Sequence, residues 1–170
     1  TIVTADTAAT LVGALTDTTV NAYNLTVNGA TAAAADLIAL NAKTSVDVLV
    51  SATTVTGNIN DLTSVYVLAN GLTTGDEVVT ITGATTAAQA DAIADLTTGA
   101  VTATITADAA SALNAALVDA NAGANAYTLT VSAGTVAATD LTGLDGKTSV
   151  AVDASAVTAI SGSSVAVAAA

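Results

Sequence analysis

The chain has 170 residues, enough for one ordinary domain with a core of its own. Its 2 basic and 14 acidic residues give a net charge of −12, which argues against nucleic acid and anionic membrane surfaces as partners, because almost nothing is available to neutralise phosphate. Cys and His are absent, as are Phe, Trp, Met, Pro and Arg, so disulfides, thiol chemistry, zinc sets and Ser-His or Cys-His nucleophiles are all excluded.

Hydrophobic residues reach 52%, yet aromatics amount to 2%, so the core must be built from Ala, Val, Leu and Ile and must be thin. Thr, Asp or Asn interrupts every long apolar stretch, and no run approaches the ~18 residues of a spanning helix, so membrane insertion is not expected. The opening "TIVTADTAAT" has no basic segment of the kind that begins a signal peptide, and the missing initiator Met reads as a chain processed or excised from something longer.

In chain order, "ADTAATLVGALTD" places Leu11 and Leu15 four apart, the stripe of a short helix. "YNLTVNG" then alternates apolar and polar residues around Leu25, as a half-buried strand does. "ATAAAADLIALNAKT" is helical, with Leu37 and Leu40 on one face and Thr31 as the N-cap. "SVDVLVSA" around Val46 reads as a strand, "TTVTGNINDLT" as a loop or single turn, and "SVYVLA" around Val65 as a further strand. After the turn "GLTTGD", "EVVTITG" around Val79 is a strand and "AQADAIADLTTG" a helix with Ile93 and Leu96 inward. Thr86 and Gln89 stand there at capping-box spacing. "AVTATIT" around Val101 is a strand, and "ADAASALNAALVD" repeats the first helix with Leu113 and Leu117. Strands around Leu129, Val150 and Val165 follow, with Thr135 as the N-cap of the helix between the first two.

Repetition is the strongest signal. Residues 21–52 align without gaps on 125–156, with 19 of 32 positions identical, which defines a repeat of about 104 residues. Copy one covers 4–105 and a partial copy two covers 106–170, within a single repeat domain spanning 1–170. A unit of one short helix and one short strand cannot bury its own face but can do so against identical neighbours. The expected fold is therefore α/β: a right-handed solenoid of short helix–strand repeats with a parallel β-sheet on one side. A compact doubly wound domain is the alternative, although its loops would not repeat so closely.

The phrases "AADLIALNAKTSVDV" and "ATDLTGLDGKTSVAVDASAVTAISG" resemble the Ala/Thr/Asp-rich tandem repeats of very large secreted surface proteins of marine bacteria, notably cyanobacteria. The resemblance implies an extracellular or cell-surface component, adhesin-like or structural. No G-G-x-G-x-D nonapeptide of a calcium roll is present.

Single residues carry little chemistry. Lys43 and Lys147, the only two lysines, occupy the same helix-to-strand corner in the two copies, where a cation meets helix carbonyls. Asp36 with Asp140, and Asp6 with Asp108, are equivalent pairs placed to favour helix N-termini. Calcium is the one cofactor left open, with Asp119, Asp145 and Asp153 as candidate ligands among neighbouring carbonyls. If Val and Leu point inward, Thr26, Thr80, Thr82, Thr102, Thr104, Thr128 and Thr130 form an outward threonine face of the kind that binds ice or another surface, interrupted by Asp47, Tyr66 and Ala151. No catalytic set emerges, so no enzyme activity is expected. The sequence points to a structural rod, surface layer or filament whose partner is itself, through end-to-end contacts or neighbouring repeats. A calcium-dependent adhesin segment or an ice-binding solenoid is the alternative.

Overall fold

The computed structural model describes residues 1–67, 71–118 and 124–169. The fold is mixed α/β with parallel pairing. Contacts divide the chain into two compact units, Thr1–Thr82 with Leu96–Gly99, and Gly83–Asp95 with Ala100–Ala170. The first contains α1 (Ala8–Ala14), β1 (Thr26–Val27), β2 (Thr31–Ala33), α2 (Ala34–Asn41), β3 (Val48–Val50), β4 (Thr54–Gly57), α3 (Ile59–Tyr66) and β5 (Leu72–Thr73). Strand β6 (Val78–Thr85) begins in the first unit and ends in the second. The second continues with α4 (Ala87–Ala94), β7 (Val101–Ile105), α5 (Ala110–Ala116), β8 (Ala126–Thr128), β9 (Gly134–Ala137), α6 (Ala138–Asp145), β10 (Val157–Ser161) and α7 (Ser164–Ala169).

In the first unit β1, β3 and β5 form one parallel sheet, and β2, β4 and β6 pair in parallel beside it. In the second unit β7 pairs with β8 and β9 with β10, again in parallel. Ladder partners keep an almost constant separation along the chain, as in Thr26↔Leu49, Val48↔Leu72, Thr102↔Ala126 and Ala159↔Thr135. Single bridges such as Ile2↔Asn24, Asp108↔Val131 and Thr130↔Asp153 keep nearly the same offset. The described helices begin at Ala8, Ala34, Ile59, Ala87, Ala110, Ala138 and Ser164, so they recur at close to the interval that separates paired strands. Each unit layers short helices on parallel strands.

The core has the expected composition in most places. Leu37 and Leu40 of α2 are buried, as are Leu11, Ile93, Leu113 and Leu117 on or beside their helices. Leu96 departs from expectation: α4 ends at Ala94, which leaves Leu96 on the surface. Strand β7 alternates as expected, with Val101, Ala103 and Ile105 inward. Burying such a Val, Leu or Ile side chain contributes about 1.5–3 kcal/mol.

Six local expectations are corrected. "SVYVLA" is not a strand: Val65 lies in α3, where Leu62, Val65 and Tyr66 at three- and four-residue spacing form the buried face. Asn58 caps that helix, its side chain accepting from the N–H groups of Asn60 and Asp61, so the stretch read as a loop holds both β4 and α3. "SVAVAA" is likewise helical, as α7. Val46 and Val150 lie outside the strands and are partly exposed; in copy one the strand is β3, with Val48 and Val50 inward, and in copy two the next strand is β10. Tyr66, expected on the outer face, is buried on α3. Lastly, Thr31 and Thr135 are not caps, since they lie in β2 and β9, and Ala33 and Ala137 hold the N-cap positions of α2 and α6 without a side-chain bond. Parallel pairing draws those threonines into extended conformation before the helix begins.

Thr86 does form the reciprocal capping box with Gln89. Thr86→Ala is therefore expected to lower stability by about 1 kcal/mol. Thr31→Ala, which removes no cap, should cost clearly less. Chemical denaturation of the two variants checks the difference, and equal losses would contradict it.

Candidate functional site

The corner that holds the two lysines is organised by the threonine after each of them. Thr44 and Thr148 are buried, at 7% exposure each. The Thr44 hydroxyl donates to the Tyr23 carbonyl at 2.7 Å, and its oxygen accepts from the N–H groups of Tyr23 at 3.1 Å and Val46 at 3.0 Å. Thr148 repeats the pattern: it donates to the Tyr127 carbonyl at 2.8 Å and accepts from Tyr127 N–H at 2.9 Å and Val150 N–H at 3.1 Å. A third instance lies outside the aligned segment. Buried Thr97 donates to the Glu77 carbonyl at 2.6 Å and accepts from Gly99 N–H at 3.0 Å. The next residue in each case pairs its backbone N–H with an earlier carbonyl: Ser45 with Asn21, Thr98 with Gly75 and Ser149 with Asn125. A Cβ on Gly99 would collide with the Glu77 carbonyl, so the third corner requires glycine where the other two carry valine.

Lys43 has a smaller part. Its Nζ donates to the Asp17 carbonyl at 2.5 Å, a bond to the preceding helix–strand connection rather than to its own helix. By sequence equivalence the matching carbonyl for Lys147 belongs to Asp119, which lies outside the described residues.

The acidic candidates are dispersed. Asp145 ends α6 and lines an open hollow of about 270 Å³ with Thr142, Ala151 and Ala154. Asp153 is exposed; Ser155 N–H donates to its Oδ1 at 2.9 Å, and that bond with the Ser155 hydroxyl holds its carboxyl below the usual range. Among the described residues no three acidic side chains gather as a metal site would require. Asp36 and Asp140 sit in the first turns of α2 and α6, while Asp6 and Asp108 each accept the N–H of the next residue at 2.7 Å.

The seven outward threonines all stay off the core: Thr82, Thr102, Thr104 and Thr128 are exposed, and Thr26, Thr80 and Thr130 half-buried. Their lateral neighbours are mixed. Thr104 pairs with Thr128 and Thr80 with Thr56, but Thr102 faces Ala126, Thr26 faces Leu49 and Thr130 faces Asp153.

Composition gave no warning of one buried polar group. Glu77 is 2% exposed; its Oε2 accepts from Gly75 N–H at 2.9 Å and from the Tyr66 hydroxyl at 3.3 Å, while Oε1 has no hydrogen-bond partner among the described residues. Burial, followed by the proximity of Glu77 and Asp76, pushes the Tyr66 phenol well above its ordinary value. Tyr23 is also raised, by the short bond that its hydroxyl gives to Asp17 Oδ2 at 2.5 Å. The threonine corners thus join backbone to backbone, while Tyr23–Asp17 and Tyr66–Glu77 are side-chain pairs.

No protein-family model, curated protein or solved structure matches the chain.

Thr148→Val keeps the shape of the side chain but strands the N–H groups of Tyr127 and Val150, and should lower stability by about 1–3 kcal/mol. Lys147→Gln should stay within about 0.5 kcal/mol. Equilibrium denaturation checks both, and a larger loss at Lys147 would restore the lysine as the organising residue.

The folded chain keeps the Tyr66 proton where the unfolded chain releases it. Stability from this group is thus intact below the ordinary tyrosine value of 10.0 and declines as pH rises through it. Tyr66→Phe should flatten that alkaline decline, as followed by thermal melts across the range.

Proposed function

We propose that the chain is a structural repeat segment, a right-handed α/β solenoid whose turns stack into a rod or filament at a cell surface or in an extracellular layer. The observation that carries this reading is the recurrence of one hydrogen-bond clip at Thr44, Thr97 and Thr148, each joining a corner to the backbone 20 or 21 residues earlier. Similar clips of nearly equal reach are what a coil of repeated turns would use, because each turn contacts only its neighbours. The near-constant offset between parallel ladder partners supports the same geometry. The side chains that sequence equivalence singles out bond to main-chain groups rather than to one another, which favours a mechanical role over an enzymatic one. A net charge of −12 on a mostly uncharged chain would keep such rods apart laterally and in solution.

Small-angle scattering on the isolated chain tests the reading. An elongated profile with one narrow cross-section is expected, and the compact profile of a sphere of this mass would overturn it. Millimolar calcium is expected to leave the melting temperature unchanged. A rise that chelation reverses would favour the calcium-dependent adhesin alternative.

A further inference from the structure

The two copies of the long repeat build one corner from different residues. Asn28 follows β1, and its N–H donates to the Asp6 carbonyl at 2.9 Å. The equivalent Ser132 donates to the Asp108 carbonyl, also at 2.9 Å. On the other side of the first corner, Thr53 N–H donates to the Gly29 carbonyl at 3.3 Å. Chain therefore flanks Asn28 on both sides, and Asn28, Gly29 and Ala30 are nonetheless exposed.

The backbone does not require asparagine at this place, since Ser132 makes the same main-chain bond. Among the described residues no hydrogen bond holds the Asn28 side-chain amide. The glycine is equally movable. Gly29 has a φ of 109°, a conformation that favours glycine, but in copy two its equivalent is Ala133 and the positive φ, 138°, falls one position later on Gly134. Copy one thus sets an unengaged amide directly before a residue with no side chain, and copy two does not. No Cβ hinders approach to the Gly29 nitrogen, and its N–H gives no hydrogen bond among the described residues that such an approach would break.

We propose that Asn28–Gly29 is a self-modification site, at which the asparagine converts to aspartate and isoaspartate through a cyclic imide. The Gly29 nitrogen bonds to Asn28 Cγ, the Cγ–Nδ2 bond breaks, and ammonia leaves with the proton from the Gly29 N–H. Water then adds to one of the two imide carbonyls, and the ring C–N bond at that carbonyl opens. Addition at Cγ restores the ordinary main chain as aspartate, whereas addition at the main-chain carbonyl leaves Gly29 attached through Cγ as isoaspartate. Water is consumed and ammonia released, with no oxidant or cofactor. Either product adds a negative charge to a corner already bonded to Asp6. Isoaspartate also inserts a methylene into the main chain between the bonds to Asp6 and Thr53, and so loosens a corner that Ser132 keeps intact in copy two. The chemistry is local to this corner and holds whether or not the turns form a rod.

Mass spectrometry of the folded chain after prolonged incubation at neutral pH tests the site. Cleavage before aspartates releases residues 17–35, which hold Asn21, Asn24 and Asn28 on one peptide. Asn28 should convert several-fold faster than Asn21, which precedes Ala, or Asn24, which precedes Leu. New aspartate at 28 adds a cleavage point and isoaspartate does not, so the two products separate, with isoaspartate the larger. Equal conversion at the three asparagines, or conversion at Asn28 only when the chain is unfolded in denaturant, would overturn the site. The loosening is read by thermal melts in an Asn70→Ser background, because Asn70 and Gly71 form the other Asn–Gly pair. Converted chains, separated by charge, should melt below Asn28→Asp, which carries the same charge on an ordinary main chain. Equal melting temperatures would overturn the loosening.

Discussion

A buried hydroxyl is tolerated in a thin apolar core only if it gives and takes hydrogen bonds at once, and the threonine at each corner does both. Thr44, Thr97 and Thr148 each donate to one carbonyl and accept from the N–H two residues on. A carbonyl and an N–H at a sharp corner cannot be paired by the regular ladder, and leaving either unpaired in the interior costs about 1–3 kcal/mol. One side chain satisfies both and ties the corner to backbone 20 or 21 residues earlier. The parallel strands around these corners run at a near-constant offset, and the three threonine ties hold the chain to it.

The lean core follows from the same constraint. With short helices packed on narrow sheets, the space between layers suits Ala, Val, Leu and Ile, and close packing penalises excess volume. The large side chains are admitted at particular points. Tyr127 fills an interior position completely, whereas the equivalent Tyr23 is half-buried and gives its hydroxyl to Asp17. Tyr66 and Glu77 share a buried hydrogen bond beside Gly75. Among the described residues, the second Glu77 oxygen is the one buried side-chain polar atom left without a partner. An unmade bond of that kind costs free energy that the other two corners do not lose.

Apart from buried Glu77 and Asp91, the charged residues are peripheral to this design. Lys43 ties a corner to the connection after α1, Asp6 and Asp108 each accept the N–H of the next residue, and no acidic cluster forms among the described residues. The outward threonines form short lateral pairs, Thr104 with Thr128 and Thr56 with Thr80, separated by Leu, Ala and Asp positions. Along these ladders threonine alternates with other residues at the outward positions. Their composition is what β-propensity and solubility select.

Much was legible in the sequence because it depends on spacing alone. The repeat, the α/β alternation, the inward leucines of α2, the Thr86–Gln89 box and the alternation in β7 are properties of a few consecutive residues, and local chemistry determines them. The signal for α3 was also present, in Asn58 and in the spacing of Leu62, Val65 and Tyr66, but a Val-x-Val pattern satisfies strand and helix periodicities together when it is short. The candidate site was less legible: lysine drew attention by its scarcity, while the adjacent threonine carried the bonds. What tertiary structure alone decided is which copy of a residue is covered. Val65 and Val165, or Tyr127 and Tyr23, have the same local sequence role and different burial, because burial depends on which elements pack against them and not on the residues beside them in the chain.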